Sequence, residues 1–153
     1  MDYKDIPITN LIPQRSPFIM VDRVLSCDKT DAVTEFVVRE DNIFLDEMTL
    51  APTGIIENIA QSCAARMGCI NMQQKESVKL GFIGDIRNCQ ILRRPKCHET
   101  MTTYVNIIEE IINLTLASVT VKVNDEVIST ARIKIALTDM PATDQAQAQS
   151  MKE

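Results

Sequence analysis

The hydrophobic pattern of the chain changes period along its length. From Thr53 to Cys69, apolar and small residues recur all round a 3.6-residue repeat, with Ile55, Ile56, Ile59, Ala60, Cys63, Ala64 and Met67 followed by Ile70. Such a helix packs on more than one side and belongs in a core. Thr53 is the natural cap and Gly54 the first helical position, and beyond Gly68 the helix can persist for a turn before the polar run Gln73-Gln74-Lys75-Glu76. Elsewhere the pattern favours strands. Ahead of the helix these are Phe18 to Ser26 and Ala32 to Val38, joined by the turn Asp28-Lys29-Thr30-Asp31 and preceded by a helical turn or loop over Ile6 to Ile12 that ends at Pro13. Asp41 to Pro52 has no convincing period and reads as a loop, or a loop with a short turn. After the helix come Lys79 to Leu92, Thr100 to Ile111, Leu114 to Val123 and Val127 to Leu137, with a turn at Asn124-Asp125. Gly81 and Gly84 mark a bend, bulge or close backbone approach within the first of these.

Two strands, one dominant helix and four strands predict an α+β domain in which one antiparallel sheet wraps around a single long central helix. A helix of about 17 residues covers only part of a six-stranded sheet and leaves an edge able to pair. A homodimer or larger even oligomer with continuous sheet pairing is therefore expected. The domain spans residues 1–138. Residues 139–153 are dominated by Pro-Ala-Thr-Asp-Gln-Ala-Gln-Ala-Gln-Ser, which can bury almost nothing, and are expected to form a flexible tail.

Within the apolar helix, Glu57 and Gln61 stand out. They are four residues apart and share a face. A carboxylate in such a helix is costly unless it is paired, solvated or used, so this pair is the first place to seek chemistry. The net charge of -5, from 21 acidic against 16 basic residues, argues against a dedicated nucleic-acid binder. No apolar secretory segment follows Met1 and no stretch has the length of a membrane span, so a cytoplasmic protein is expected. Cysteines 27, 63, 69, 89 and 97 form neither an even disulfide framework nor a C-x-x-C pair and read as free, mostly buried thiols. The sole histidine, His98, adjoins Cys97, and neighbours on an extended segment point to opposite faces, which disfavours a catalytic dyad. No metal or cofactor is expected.

These residues resemble the hot-dog-fold (3R)-hydroxyacyl-acyl-carrier-protein dehydratases. The run Leu11-Ile12-Pro13-Gln14-Arg15-Ser16-Pro17-Phe18-Ile19-Met20-Val21-Asp22-Arg23-Val24 is similar to the amino-terminal segment of that family, where a Pro-His-Arg stretch leads into Pro-Phe-Leu-Leu-Val-Asp-Arg. Ile55-Ile56-Glu57-Asn58-Ile59-Ala60-Gln61 resembles the start of its central helix, a catalytic glutamate followed by Ala-Gln. Ile91-Leu92-Arg93-Arg94-Pro95 is similar to its Phe-Lys-Arg-Pro segment. The family's base, a histidine in a Gly-His-Phe-Pro loop ahead of the glutamate, has no counterpart in Asn42 to Pro52, and Gln14 stands where the amino-terminal motif has histidine. The pattern resembles a divergent branch found with aryl-polyene or flexirubin-type pigment synthesis.

The resemblance implies a hot-dog fold and a hydro-lyase reaction on 3-hydroxyacyl thioesters. Glu57 would be the acid/base, Gln61 would hold it or the ligand hydroxyl, and backbone N–H groups near Gly54 would receive the thioester oxygen. Asp46 and Glu47 are the nearby side chains able to replace the histidine. The bland readings are a paired structural Glu57, Gln61 as its partner or a group at the dimer seam, Gly54 serving helix packing, and Asp46 and Glu47 as hydrated loop acids. Arg87, Arg93, Arg94 and Lys96 form the densest basic segment, and the resemblance implies acyl carrier protein as the acidic partner it would bind. Exposed strand-end charge is the alternative. A non-catalytic acyl-thioester-binding or partner subunit and a hot-dog thioesterase are the competing functions.

Overall fold

The computed structural model describes residues 2–75 and 79–141. Helix α1 runs Pro52–Gln73, 22 residues or about 33 Å. It starts two residues ahead of Gly54, the expected first helical position, and takes in the further turn beyond Gly68 that the pattern allowed. Thr53 is not its cap: Ala51 occupies that position with extended backbone and no side-chain cap, and Pro52 opens the helix where no N–H is needed.

The strands are β1 (Arg23–Cys27), β2 (Asp31–Val37), β3 (Leu45–Asp46), β4 (Thr49–Leu50), β5 (Lys79–Ile91), β6 (Thr100–Ile111), β7 (Leu114–Val123) and β8 (Glu126–Pro141). Six form one sheet in the order β1-β2-β6-β7-β8-β5, every neighbouring pair antiparallel. Alternation decides which face is inward: Ala32, Thr34 and Phe36 of β2, Met101, Thr103 and Val105 of β6, and Ala117, Val119 and Val121 of β7 are buried. Their apolar members pack with Ile55, Ile59 and Cys63 of α1. The opposite side of α1 is covered by the amino-terminal segment, where Leu11, Ile12 and Val24 meet Ala65 and Cys69. A helix between a sheet and this flap needs apolar residues nearly all round, as its sequence has. Gly68 lets the flap approach, since a Cβ there would lie 2.1 Å from the Leu11 carbonyl oxygen. One sheet wrapped on a single long helix is the hot-dog arrangement.

Two elements differ from the sequence reading. The first strand begins at Arg23, not Phe18, because the backbone of Phe18 and Met20 is bonded to side chains of α1 instead of a neighbouring strand. Residues 41–52 contain the short β3–β4 hairpin, turned by Glu47 and Met48 at φ 49 and 64. The expected irregularity of β5 is present, with register shifts at Lys79/Gly81, Ile83/Asp85 and Arg87/Gln90. Asn124 and Asp125 turn β7 into β8 at φ 49 and 66. At the β1–β2 turn, the Asp28 carboxylate accepts from the N–H groups of Thr30 and Asp31, each at 2.8 Å, which lowers its pKa. Strand β8 continues past Leu137 to Pro141, and the remainder of the expected tail, residues 142–153, lies outside the described residues.

Candidate active site

Helical spacing puts Glu57, Ala60, Ala64 and Met67 along one stripe of α1, and this stripe lines a cavity of about 120 Å³ against the sheet. The small side chains at 60 and 64 leave the space. Ile107 and Ile135 close the opposite wall, so the interior is mainly apolar with a carboxylate on it. Cys63 also lines the cavity, but burial pushes its thiol up to about 12, so it is protonated at neutral pH and a poor nucleophile.

Gln61 fixes Glu57. Its Nε2 donates to Glu57 Oε1 at 2.9 Å and to the Phe18 carbonyl at 2.8 Å, while its Oε1 accepts from the Met20 N–H at 2.6 Å. One turn away, Asn58 Nδ2 donates to the Met20 carbonyl at 2.7 Å and Asn58 Oδ1 accepts from the Thr103 hydroxyl at 2.7 Å. Both amides are fully buried. Residues 18–20 are thus stitched to the helix by side chains, and the same bonds restrain the carboxylate.

The other candidates lie elsewhere. Gly54 is buried where a Cβ would come within 2.8 Å of Leu50 Cδ1 and Phe44 Cβ, and its N–H donates to the Ala51 carbonyl at 2.9 Å. In this conformation that N–H is engaged within the first helical turn. Asp46 and Glu47 are exposed on the β3–β4 turn and do not line the cavity, and Asp46 faces Arg94 at 3.4 Å.

Much of the basic segment is already paired. Arg93 meets Glu99 and Glu126, both at 2.8 Å, Arg94 donates to the Leu50 carbonyl at 2.8 Å, and Arg87 pairs with Asp85. Lys96 has no ion pair among the described residues, and its backbone N–H donates to Glu99. His98 is exposed, contacts Glu40 at 3.3 Å and is not on the cavity wall. Its φ of 76 departs from the extended geometry assumed in the sequence reading, and it brings His98, Cys97 and Glu40 donor atoms within 4.8 Å of one another.

Three residues that the sequence did not offer as site residues share the cavity with Glu57: Arg66, Thr115 and Gln14, the last noted only as standing in place of a histidine. Arg66 carried a usable signal. It is a charge in a helix buried all round, the same anomaly that drew attention to Glu57. Its side chain is 3 % exposed and ion-paired with Glu110 at 3.1 Å.

The model of the ApeP-like family, described as ApeP dehydratase, matches residues 6–148. The chain belongs to the ApeP-like family. It is 26% identical over 140 residues to the 3-hydroxyacyl-[acyl-carrier-protein] dehydratase FabZ of Listeria monocytogenes serotype 4b, covering 88% of this chain and 95% of that one. Among solved structures, the ApeP-like chain is similar to one in the dehydratase heterocomplex ApeI:P from Xenorhabdus doucetiae, with TM-score 0.83, 16% identity, and 92% and 97% of the two chains covered. It also resembles a hypothetical thioesterase with coenzyme A from Streptococcus pneumoniae, with TM-score 0.60, 9% identity and coverage of 77% and 86%. These structural likenesses show the hot-dog fold. Among the described residues, no helix is long and apolar enough to cross a membrane.

Proposed function

We propose that this ApeP-like chain is a dehydratase subunit acting on 3-hydroxyacyl thioesters carried by acyl carrier protein. The observation that supports it is Glu57, held by Gln61 on the wall of a cavity whose remaining lining is mainly apolar. In the reaction the Glu57 carboxylate takes the proton from C2 and, as the carboxyl so formed, delivers it to the departing 3-hydroxyl, so that the 2-enoyl thioester and water are released and the carboxylate is regenerated. Lys96 and the adjoining arginines offer the carrier protein a weaker basic face than the sequence suggested, because acids already answer Arg87, Arg93 and Arg94.

A second reading rests on a specific feature. The only histidine of the chain is His98, which is exposed and away from the cavity. In this reading the chain supports a catalytic partner that supplies the base, in an assembly of the kind that the ApeI:P heterocomplex represents. The subunit then contributes acyl binding and positioning, and its pairing partner is a second, different hot-dog chain.

The deciding experiment incubates the protein with a 3-hydroxyacyl carrier-protein substrate and follows the acyl mass. Loss of water that depends on Glu57 supports the first reading. Acyl binding without turnover favours the partner-subunit reading, and release of free acid would replace both with a thioesterase.

A further inference from the structure

Among the described residues, four buried side-chain polar atoms lack a hydrogen-bond partner: Gln14 Oε1, Arg66 Nε, Asn71 Nδ2 and Thr115 Oγ1. Three of them belong to residues lining the cavity that Glu57 lines. They come from different elements: Gln14 from the amino-terminal segment, Arg66 from α1 and Thr115 from β7. Buried polar groups are almost always satisfied, so three orphans on residues that line one cavity point to a missing polar occupant.

The donors and acceptors narrow its chemistry. Arg66 Nε–H can only donate, Gln14 Oε1 can only accept, and the Thr115 hydroxyl can do either. One group that both accepts and donates satisfies all three, and a hydroxyl does so. Reversing the Gln14 amide turns its acceptor into a donor, which a hydroxyl also matches. An anion fits poorly, because Glu57 shares the cavity and the Arg66 charge is already answered by Glu110 at 3.1 Å, with its Nη2 donating to the Lys29 carbonyl at 2.8 Å. A cation cannot accept from Arg66. The rest of the wall, Ala60, Ala64, Met67 and Ile135 among it, suits hydrocarbon. Arg66 lies nine residues along α1 from Glu57, about 13 Å of helix axis. The polar group is therefore remote from the carboxylate.

We propose that Gln14, Arg66 and Thr115 form a polar subsite that selects acyl thioesters bearing a second hydroxyl, distant from the thioester. The inference rests on the acyl-binding reading above, and it makes these three residues determinants of specificity.

The test is calorimetric titration of the intact protein with saturated acyl-pantetheine thioesters in matched pairs, terminal methyl against terminal hydroxyl, over a series of chain lengths. At the length that reaches Arg66, the hydroxyl-ended member should bind about 10-fold more tightly, the scale of one or two neutral hydrogen bonds. Thr115→Val, nearly isosteric, and Gln14→Leu, at the flap, should each reduce that ratio several-fold. Arg66→Met is the less clean variant, since it also breaks the Glu110 and Lys29 contacts. Equal binding of both members at every length overturns the subsite while leaving acyl binding intact, with water then filling the polar end. A preference untouched by Thr115→Val and Gln14→Leu also overturns it. Failure of every thioester to bind removes the acyl-binding reading and the subsite together.

Discussion

Replacing Gln61 by leucine tests the clamp that holds both the amino-terminal segment and Glu57. The substitution keeps the volume near constant, so the loss is mainly of hydrogen bonds: the Met20 N–H to Gln61 Oε1 at 2.6 Å, and Gln61 Nε2 to Phe18 O at 2.8 Å and Glu57 Oε1 at 2.9 Å. The buried Met20 N–H would be left without an acceptor, at a cost of about 1–3 kcal/mol. Phe18 is 57% exposed and Glu57 half-buried, so water can reach their oxygens, and each bond costs the net value of about 0.5–1.5 kcal/mol. The sum is about 2–6 kcal/mol, a large share of the roughly 5–15 kcal/mol by which domains are stable. Urea unfolding of wild type and Gln61→Leu at one fixed protein concentration measures it, so that any self-association is weighed at the same concentration in both. Asn58→Leu should fall in the same range, because it strips bonds from the Met20 carbonyl and the buried Thr103 hydroxyl. A destabilisation below about 1 kcal/mol for Gln61→Leu would refute the clamp.

Three further outcomes are expected. Gly68→Ala would push a methyl to 2.1 Å from the Leu11 carbonyl oxygen, a rigid backbone atom, and should cost about 3 kcal/mol or more in thermal or urea unfolding, with the flap detaching first in hydrogen exchange. With a thiol reagent at mildly alkaline pH, exposed Cys89 should react at once, while Cys63, buried and with its thiol pushed up to about 12, should react only on unfolding. The Arg93 guanidinium beside Glu99, helped by the Lys96 N–H, holds the Glu99 carboxyl below its ordinary value. A depressed folded pKa means stability that is present above the unfolded value and lost as pH falls through the folded one. The fall in melting temperature from neutral pH to about pH 3 should accordingly be shallower in Glu99→Gln than in wild type.

What the sequence disclosed and what it hid have physical reasons. Strands β6 and β7 were legible to the residue because inward positions alternate along the first part of β6 and all ten residues of β7, and Asn124-Asp125 is a turn that tolerates positive φ. The helix was legible because a flap and a sheet both demand apolar contacts from it. Its start was misread because Thr53 has the chemistry of a cap, whereas Pro52 already satisfies the first turn by lacking an N–H. Phe18 to Val21 has the composition of a strand, but its backbone partners are Gln61 and Asn58, side chains some 40 positions away that no local period reveals. The hairpin β3–β4 has two residues per strand, too few to carry any period. Of the site, Glu57 and Gln61 were visible as polar intrusions on one helical face. The arginines looked like an open basic patch partly because two of their acids are distant in sequence, with Glu126 33 positions from Arg93 and Asp46 48 from Arg94, whereas Asp85 and Glu99 lie only 2 and 6 positions from Arg87 and Arg93. Thr115 gave no local sign, since nothing in an alternating strand announces a polar atom on a cavity wall, and Gln14 was marked only by the histidine it replaces in the family pattern.

The most direct test of the central proposal compares wild type with Glu57→Gln, in the same folded assembly, for water loss from a defined 3-hydroxyacyl carrier-protein substrate. Glutamine keeps the size of the side chain and can still bond to Gln61, but it cannot exchange the proton that the departing hydroxyl needs. Turnover should fall by about 100-fold or more while the unfolding midpoint stays near that of wild type. Equal turnover in the two proteins would contradict the account, because the carboxyl on the cavity wall would then take no part in the chemistry.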